Sequence, residues 1–280
     1  MRVLHNARMD TIAFIGGGNM AGAIIGGLLK SGRAADSLLV IDPVEAQRDK
    51  LRSDFGVRTL AAADATLGDA ALVVWAVKPQ YFQAAAAPCA AHVGGALHLS
   101  VMAGIRSDAI ARAAGTQRVV RAMPNTPALI GQGIAGLFAR AAVRSDERVL
   151  VEQVLAPTGK TLWVEREQDL DAVTALSGSG PAYVFYFVEA MVQAALDMGL
   201  SAEQGKQLAL VTFGGATALA LASSDPPELL RERVTSKGGT TDAALRSLEA
   251  SGVKAAFVKA LRAAQARAEQ LGAQFGDQFN

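Results

Sequence analysis

The feature that most constrains this chain is a glycine-rich bend between a strand pattern and a helix pattern, close to its start. Thr11-Ile12-Ala13-Phe14-Ile15 is a short apolar run of β-favouring residues. Gly16-Gly17-Gly18-Asn19-Met20-Ala21 follows, and AGAIIGGLLKSG then repeats its apolar positions at helical spacing. A glycine triplet alone is a common turn. In this setting it takes the form G-x-G-x-x-A, and each position has a physical task. Gly16 allows the sharp turn, Gly18 leaves room for a pyrophosphate against the backbone, and the small Ala21 lets the helix pack closely on the strand. The first helical N–H groups, around Asn19 and Met20, have no intrahelical partner and favour an anion. Gly16, Gly18, Asn19 and Met20 are therefore predicted to hold a dinucleotide.

Beyond this unit, strand and helix patterns alternate. Leu38 to Asp42 reads as a second strand, and EAQRDKLRSDFG as an amphipathic helix closed by Gly56. Ala71 to Val77 is continuously apolar, as suits a parallel strand covered on both faces, and stops at Lys78-Pro79. Further strands are predicted at 97–102, 118–123, 134–140 and 161–164, with helices at RSDAIARAA and SDERVLVEQVLA. This cadence predicts a doubly wound, mostly parallel sheet of the Rossmann type. Ligands bind at the carboxyl edge of such sheets, so Ala76, Lys78 and Pro79 are predicted cofactor contacts; for Lys78 a solvated lysine before a turn is an equal alternative. Asp42 ends the second strand, where an acid accepts hydrogen bonds from the adenosine ribose and repels a 2′-phosphate. On physics it points to NADH used at least as well as NADPH.

Strand signals disappear after about Glu165, so the predicted division is a dinucleotide-binding domain at 1–165 and an all-helical domain at 166–280. One helix is expected from Pro181 to Leu200. The next opens on the capping-box start Ser201-Ala202-Glu203-Gln204 and continues without any charge from Gln207 to Ser224. That stretch approaches membrane-span length. Its Ala, Gly, Thr and Ser content and its polar helical flanks argue against the bilayer. A helix apolar all round still needs cover, and a second copy of the chain is the expected cover, giving an interlocked homodimer.

The 280 residues suit one large domain or two ordinary ones, and a net charge of +1 gives no support to nucleic-acid or membrane-surface binding. The lone cysteine, Cys89, cannot close an internal disulfide. With no signal-like start, the expectation is a reducing cytoplasm. No metal-ligand spacing is read. Residues 1–8 look like a ragged extension, with Met9 as an alternative start.

A second anion-binding feature lies in Val234-Thr235-Ser236-Lys237-Gly238-Gly239-Thr240-Thr241-Asp242. Two glycines shape a tight loop, hydroxyls line it, and the helix pattern TDAALRSLEA begins there. Ser236 and the N–H groups of Thr240 and Thr241, with Gly238 and Gly239 shaping the loop, are predicted to hold a small carboxylate.

FIGGGNMAGAI, AVKPQ, RAMPNTPA, LSGSGPAYVFYFVEAM and VTSKGGTTDAALRSLEASG occur in this order, and with them the chain resembles the pyrroline-5-carboxylate reductases almost end to end. The resemblance implies a Rossmann domain followed by a helical dimerisation domain, dimers that often assemble into decamers of five, and reduction of 1-pyrroline-5-carboxylate to L-proline by NADPH or NADH. It implies that Thr241 Oγ bonds the imine nitrogen as the catalytic group, and that the Asn125 amide orients nicotinamide or substrate. It also implies that Ser177-Gly178-Ser179-Gly180-Pro181 opens a long helix whose small residues let a neighbour or substrate approach. Two departures stand out. The family commonly uses NADPH although Asp42 opposes it, and Ala63 stands where many relatives carry a cofactor-touching asparagine. Two other readings remain: a β-hydroxyacid or imine reductase sharing the nucleotide turn, and a nucleotide sensor without chemistry.

Overall fold

The computed structural model describes residues 11–278; the extension at 1–8 and Met9 lie outside them. The chain forms two compact units. One runs to Ser179 and takes up the end of the last helix from Ala264; the other is Gly180–Ala263.

The first unit is built on eight strands: β1 (Thr11–Ile15), β2 (Leu38–Ile41), β3 (Arg58–Leu60), β4 (Ala70–Trp75), β5 (Leu97–Ser100), β6 (Val119–Met123), β7 (Gly133–Ala139) and β8 (Gly159–Trp163). They lie in the order β3-β2-β1-β4-β5-β6-β7-β8. Every neighbouring pair is parallel except β6 and β7. Its helices are α1 (Asn19–Lys30), α2 (Glu45–Phe55), α3 (Phe82–Ala86), α4 (Ala90–Val93), α5 (Ser107–Ala114), α6 (Ser145–Leu155) and α7 (Asp169–Val173). Because successive side chains of a strand point to opposite faces, the sheet separates two cores. Ile24, Ile25, Leu51 and Val154 of α1, α2 and α6 pack with Phe14, Val40, Val74 and Val120 on one face. Phe82, Val93 and Ile110 pack with Ile15, Val73 and Trp75 on the other. Each such fully buried side chain contributes roughly 1.5–3 kcal/mol.

The expected strands are all present, with ends within two residues of those expected; the runs at 71–77 and 97–102 stop early, at Trp75 and Ser100, and β8 starts earlier, at Gly159. β4 stops at Trp75, so Lys78 stands in the turn beyond the strand rather than at its end. β3 was not expected. Its three residues carry no apolar run and are ordered by pairing with β2.

Most polar groups inside this unit are paired; among the described residues Arg106 Nη1 and Arg121 Nε are buried without a hydrogen-bond partner. The buried His98 imidazole accepts from the Trp75 indole at Nδ1 (2.9 Å), so Nε2 is left to donate to the Val93 carbonyl (3.0 Å). Burial pushes this histidine down to about 4. Buried Arg121 pairs with Glu167 (2.8 Å), whose carboxylate also takes the Ser107 N–H and hydroxyl at the start of α5. Arg106 pairs with Asp171 (2.7 Å). These ion pairs fix α7 against the sheet.

The second unit holds α8 (Gly180–Asp197), α9 (Ala202–Ala222), α10 (Pro227–Arg233), α11 (Thr240–Ala250) and most of α12 (Val253–Gln278). The predicted capping box starts α9: Ser201 Oγ accepts from Gln204 N, and the Gln204 side chain accepts from Ser201 N. Gly205 lets α9 meet α8 closely, since a β-carbon there would stand 2.7 Å from Ala195 Cβ. Only Gly205 and Ala209 of α9 are buried. Among the described residues, no single helix is long and apolar enough to cross a membrane.

The segment Ser177–Pro181 does not open a fresh helix. The chain is already helical from Asp169 and widens into a π turn over Thr174–Gly178, closed by Ser179 N donating to Thr174 O (2.8 Å); α8 then starts at Gly180.

Candidate active site

The glycine bend after β1 is built by three different constraints. Gly16 has a φ of 95°, and a β-carbon there would stand 2.8–2.9 Å from Val77 Cγ1 and the Ala76 carbonyl group. It is glycine both for its left-handed backbone and for its closeness to the end of β4. Gly17 is glycine because Leu51 Cδ1 of α2 would lie 2.5 Å from its β-carbon. This middle position of the motif was read as free in the sequence; the packing of α2 fills it. Gly18 is different. Its backbone is extended, at φ −68° and ψ −172°, and a β-carbon there would meet nothing within 4 Å. It opens α1 with no side chain capping the helix and no acid in the first turn. The positive end of the helix dipole and the bare N–H groups of Asn19 and Met20 thus face open space beside a glycine, which fits a pyrophosphate.

Asp42 follows β2 and is oriented by the bend itself. Its Oδ2 accepts from Gly17 N–H (2.8 Å) and its Oδ1 from Val44 N–H (2.9 Å). Gln47 donates to the Gly17 carbonyl and Arg48 Nη1 to the Asp42 carbonyl (2.8 Å), so the first turns of α2 clamp both residues. Each carboxylate oxygen keeps a lone pair for a further donor such as a ribose hydroxyl. Ala63 lies partly buried against the core.

Ala76, Lys78 and Pro79 form the turn after β4. Ala76 N–H bonds the Ile15 carbonyl (2.8 Å), joining this turn to the glycine bend, while Lys78 caps the short 3₁₀ helix that starts at Pro79. Asn125 follows β6, and its side-chain oxygen accepts from Ile134 N–H (3.0 Å). That bond secures the start of β7 and turns the amide NH₂ toward other acceptors. Because β1, β4 and β6 run parallel through the sheet, these three segments share its carboxyl edge.

In the helical unit the loop before α11 is equally specific. Gly238 has a φ of 76°, and its N–H donates to Asp242 Oδ2 (2.8 Å), while Gly239 N–H donates to the Ser236 carbonyl (2.9 Å). Arg246 holds the same Asp242 carboxylate (2.7 Å). The two glycine donors are thus spent on the loop's own shape, and the next two N–H groups, of Thr240 and Thr241, begin the helix with no intrahelical acceptor. Ser236 and Thr240 are exposed and Thr241 half-buried. Such a cradle suits one carboxylate, with hydroxyl donors beside it. Sequence reasoning had passed over Asp242, although an acid in the first turn of a helix, four residues after a loop glycine, is a readable signal. Among the described residues, no cluster of His, Cys, Asp and Glu could hold a metal ion.

Residues 167–271 match the family described as pyrroline-5-carboxylate reductase dimerisation, and residues 11–104 match NADP oxidoreductase coenzyme F420-dependent. A pyrroline-5-carboxylate reductase of Pseudomonas aeruginosa is 43% identical over 267 residues, spanning 95% of this chain and 98% of that protein. In structure, the chain is similar to a pyrroline-5-carboxylate reductase from Coxiella burnetii, with a TM-score of 0.89, 36% identity, and coverage of 94% of this chain and 99% of that one. It is also similar to the Plasmodium falciparum pyrroline carboxylate reductase solved with NADP bound, with a TM-score of 0.82, 26% identity, and coverage of 94% and 98%.

Proposed function

Because the chain belongs to the pyrroline-5-carboxylate reductase family, we propose that it reduces 1-pyrroline-5-carboxylate to L-proline with NADPH or NADH, the last step of proline synthesis. The observation that carries this reading is the pairing, in one chain, of the open anion site at Gly18 with the carboxylate cradle at Thr240 and Thr241.

Gly16 and Gly18 would admit the pyrophosphate, with the N–H groups of Asn19 and Met20 bonding it. Asp42 would take the ribose hydroxyls, and Ala76, Lys78, Pro79 and Asn125 would bound the rest of the cofactor. When bound, the dinucleotide supplies the hydride that reduces the imine carbon. Ser236 and the N–H groups of Thr240 and Thr241 would hold the substrate carboxylate, in a loop shaped by Gly238 and Gly239. The Thr241 hydroxyl would donate to the ring nitrogen, which grows more basic as its C=N bond is reduced. A protonated iminium becomes the neutral amine on gaining hydride, so the chain needs to orient the nitrogen more than to supply a strong acid.

Asp42, locked by two backbone N–H groups, presents a fixed negative charge where a 2′-phosphate would lie, and on this ground NADH is used at least as well as NADPH. A catalytic efficiency tenfold or more in favour of NADPH would refute that preference. The exposed apolar side chains of the helical unit support a homodimer, and five such dimers make the decamer the family resemblance suggests. The reaction and the lone cysteine suit the cytoplasm. We place the functional division at 165/166, ahead of the Ser179/Gly180 boundary of the compact units; the dimerisation match that begins at 167 supports it. The purified chain should consume NADH or NADPH only when 1-pyrroline-5-carboxylate is supplied, and L-proline should drive the reverse reaction at high pH. Nicotinamide oxidation that is indifferent to the imine would end this reading.

A further inference from the structure

A second feature at the sheet edge is left unexplained by the assignments above: the π turn at Thr174–Gly178. Such turns interrupt regular helices at a cost and recur at functional sites. Here the turn is carefully supported. Thr174 Oγ1 donates to the Leu170 carbonyl (2.7 Å) and Ser177 Oγ to the Val173 carbonyl (3.0 Å). Its stem α7 is held by the Glu167–Arg121 and Asp171–Arg106 ion pairs and by Val173, which lies over the bare face of Gly136, 2.7 Å from where a β-carbon would be. The widened turn brings Gly178 against Met123, so that a β-carbon at Gly178 would stand 2.7 Å from Met123 Cε. Met123 is the last residue of β6, two before Asn125.

Strand order shows what Met123 borders. Asp42, on the β2 side of β1, marks the adenosine half of the cofactor, so the nicotinamide half runs the other way, over β4, β5 and β6. With strands about 4.8 Å apart, the end of β6 lies about 14 Å from the glycine bend along the carboxyl edge, at the far end of that path. We propose that Gly178 and Met123 are a positioning pair for the nicotinamide end: Gly178, the position of the π turn without a side chain, seats the Met123 methyl, and that methyl bounds the ring. The proposal rests on the dinucleotide reading given above.

Gly178→Ala tests it gently, because its backbone is not left-handed and the only atoms it displaces belong to a flexible methionine tip. The expected result is an unchanged melting temperature, an NADH or NADPH Kd within about threefold of wild type, and a kcat lower by about tenfold, since a misplacement near 1 Å can cost up to about 100-fold. In ¹³C-methyl NMR, the Met123 signal should move in Gly178→Ala without ligand, and should move in wild type when NADPH or NADH is added. Should Gly178→Ala fold poorly, Met123→Leu carries the same test, because near-isosteric core swaps are tolerated and the π turn is left intact. A kcat within twofold of wild type in the folded variant, or a Met123 methyl indifferent to the cofactor, overturns the proposal. Wild type that fails to reduce the imine would instead sink the assigned reaction, so the two failures are distinguishable.

Discussion

The two units solve the problem of burial differently. In the sheet unit helices cover both faces and Trp75, Phe14 and Phe82 are fully buried, with Ile130 and Tyr81 among the fewer large apolar side chains left exposed. The helical unit leaves large apolar side chains in the open, with Met198 79% exposed, Leu221 72% and Tyr186 69%. Exposed apolar surface on this scale marks an interface. The first unit buries its core within itself, whereas most of the exposed large apolar side chains belong to the second. This contrast accords with the dimerisation family that its residues match.

The sharpest way to break the contrast is to loosen the sheet unit. Gly159 has a φ of 135°, and a β-carbon there would overlap the Gly133 backbone across the β7–β8 pair. Gly159→Ala should cost about 4 kcal/mol or more in urea unfolding, by overlap and strain together. A near-neutral result would mean that this unit is far more plastic than its packing implies.

Next in size is acid. His98 is held neutral in the fold, with a pKa lowered from 6.5 to about 4. The unfolded chain therefore binds the extra proton first, and the stability His98 contributes is present above pH 6.5 and lost as pH falls toward 4. At about 1.4 kcal/mol per pKa unit the loss is roughly 3 kcal/mol. Among the described residues the helical unit buries no charged or histidine side chain, so the acid effect should belong to the sheet unit. Urea titrations at pH 7 and pH 4.5 should show this slope in wild type and a flatter one in His98→Gln; equal slopes would reject the assignment.

The interface side of the comparison is probed by Val211→Glu, in the exposed middle of α9. A buried unpaired charge at a contact should weaken self-association by about 2 kcal/mol, or some 30-fold, visible in sedimentation velocity as a smaller species with the sheet unit still folded. An unchanged assembly would show that α9 is not the contact. The smallest effect expected is chemical. Thr241→Ala should lower kcat/KM by about tenfold through loss of one hydrogen bond to the reacting nitrogen, with folding intact. Wild-type efficiency in that variant would remove Thr241 from the mechanism.

Where periodicity and caps decide the structure, the sequence was readable: β1 and its glycine bend, α2 with its left-handed Gly56, the capping box of α9, the switch to helices after β8. What it hid depends on neighbours distant in the chain. Nothing in Arg58–Leu60 announces a strand until β2 is beside it. The short helices between Tyr81 and Val93 interrupt an alanine-rich run with no clear period. Gly17 is fixed by Leu51, and Gly178 by Met123; neither partner can be read from local pattern. The site divides in the same way. The glycine bend and the Ser236–Thr241 loop declare themselves, whereas the clamping of Asp42 by Gly17 and of the loop by Asp242 needed coordinates.

The pairing of the Trp75 indole with His98 has a practical corollary. The chain holds two tryptophans, Trp75 and Trp163, and both lie in strands of the sheet unit. Their emission therefore reports the melting of that unit alone, while far-ultraviolet circular dichroism is weighted toward the helices of the other. If the helical unit owes its order to association, the two optical signals should separate on dilution, with ellipticity fading at concentrations where the indoles still see a dry interior.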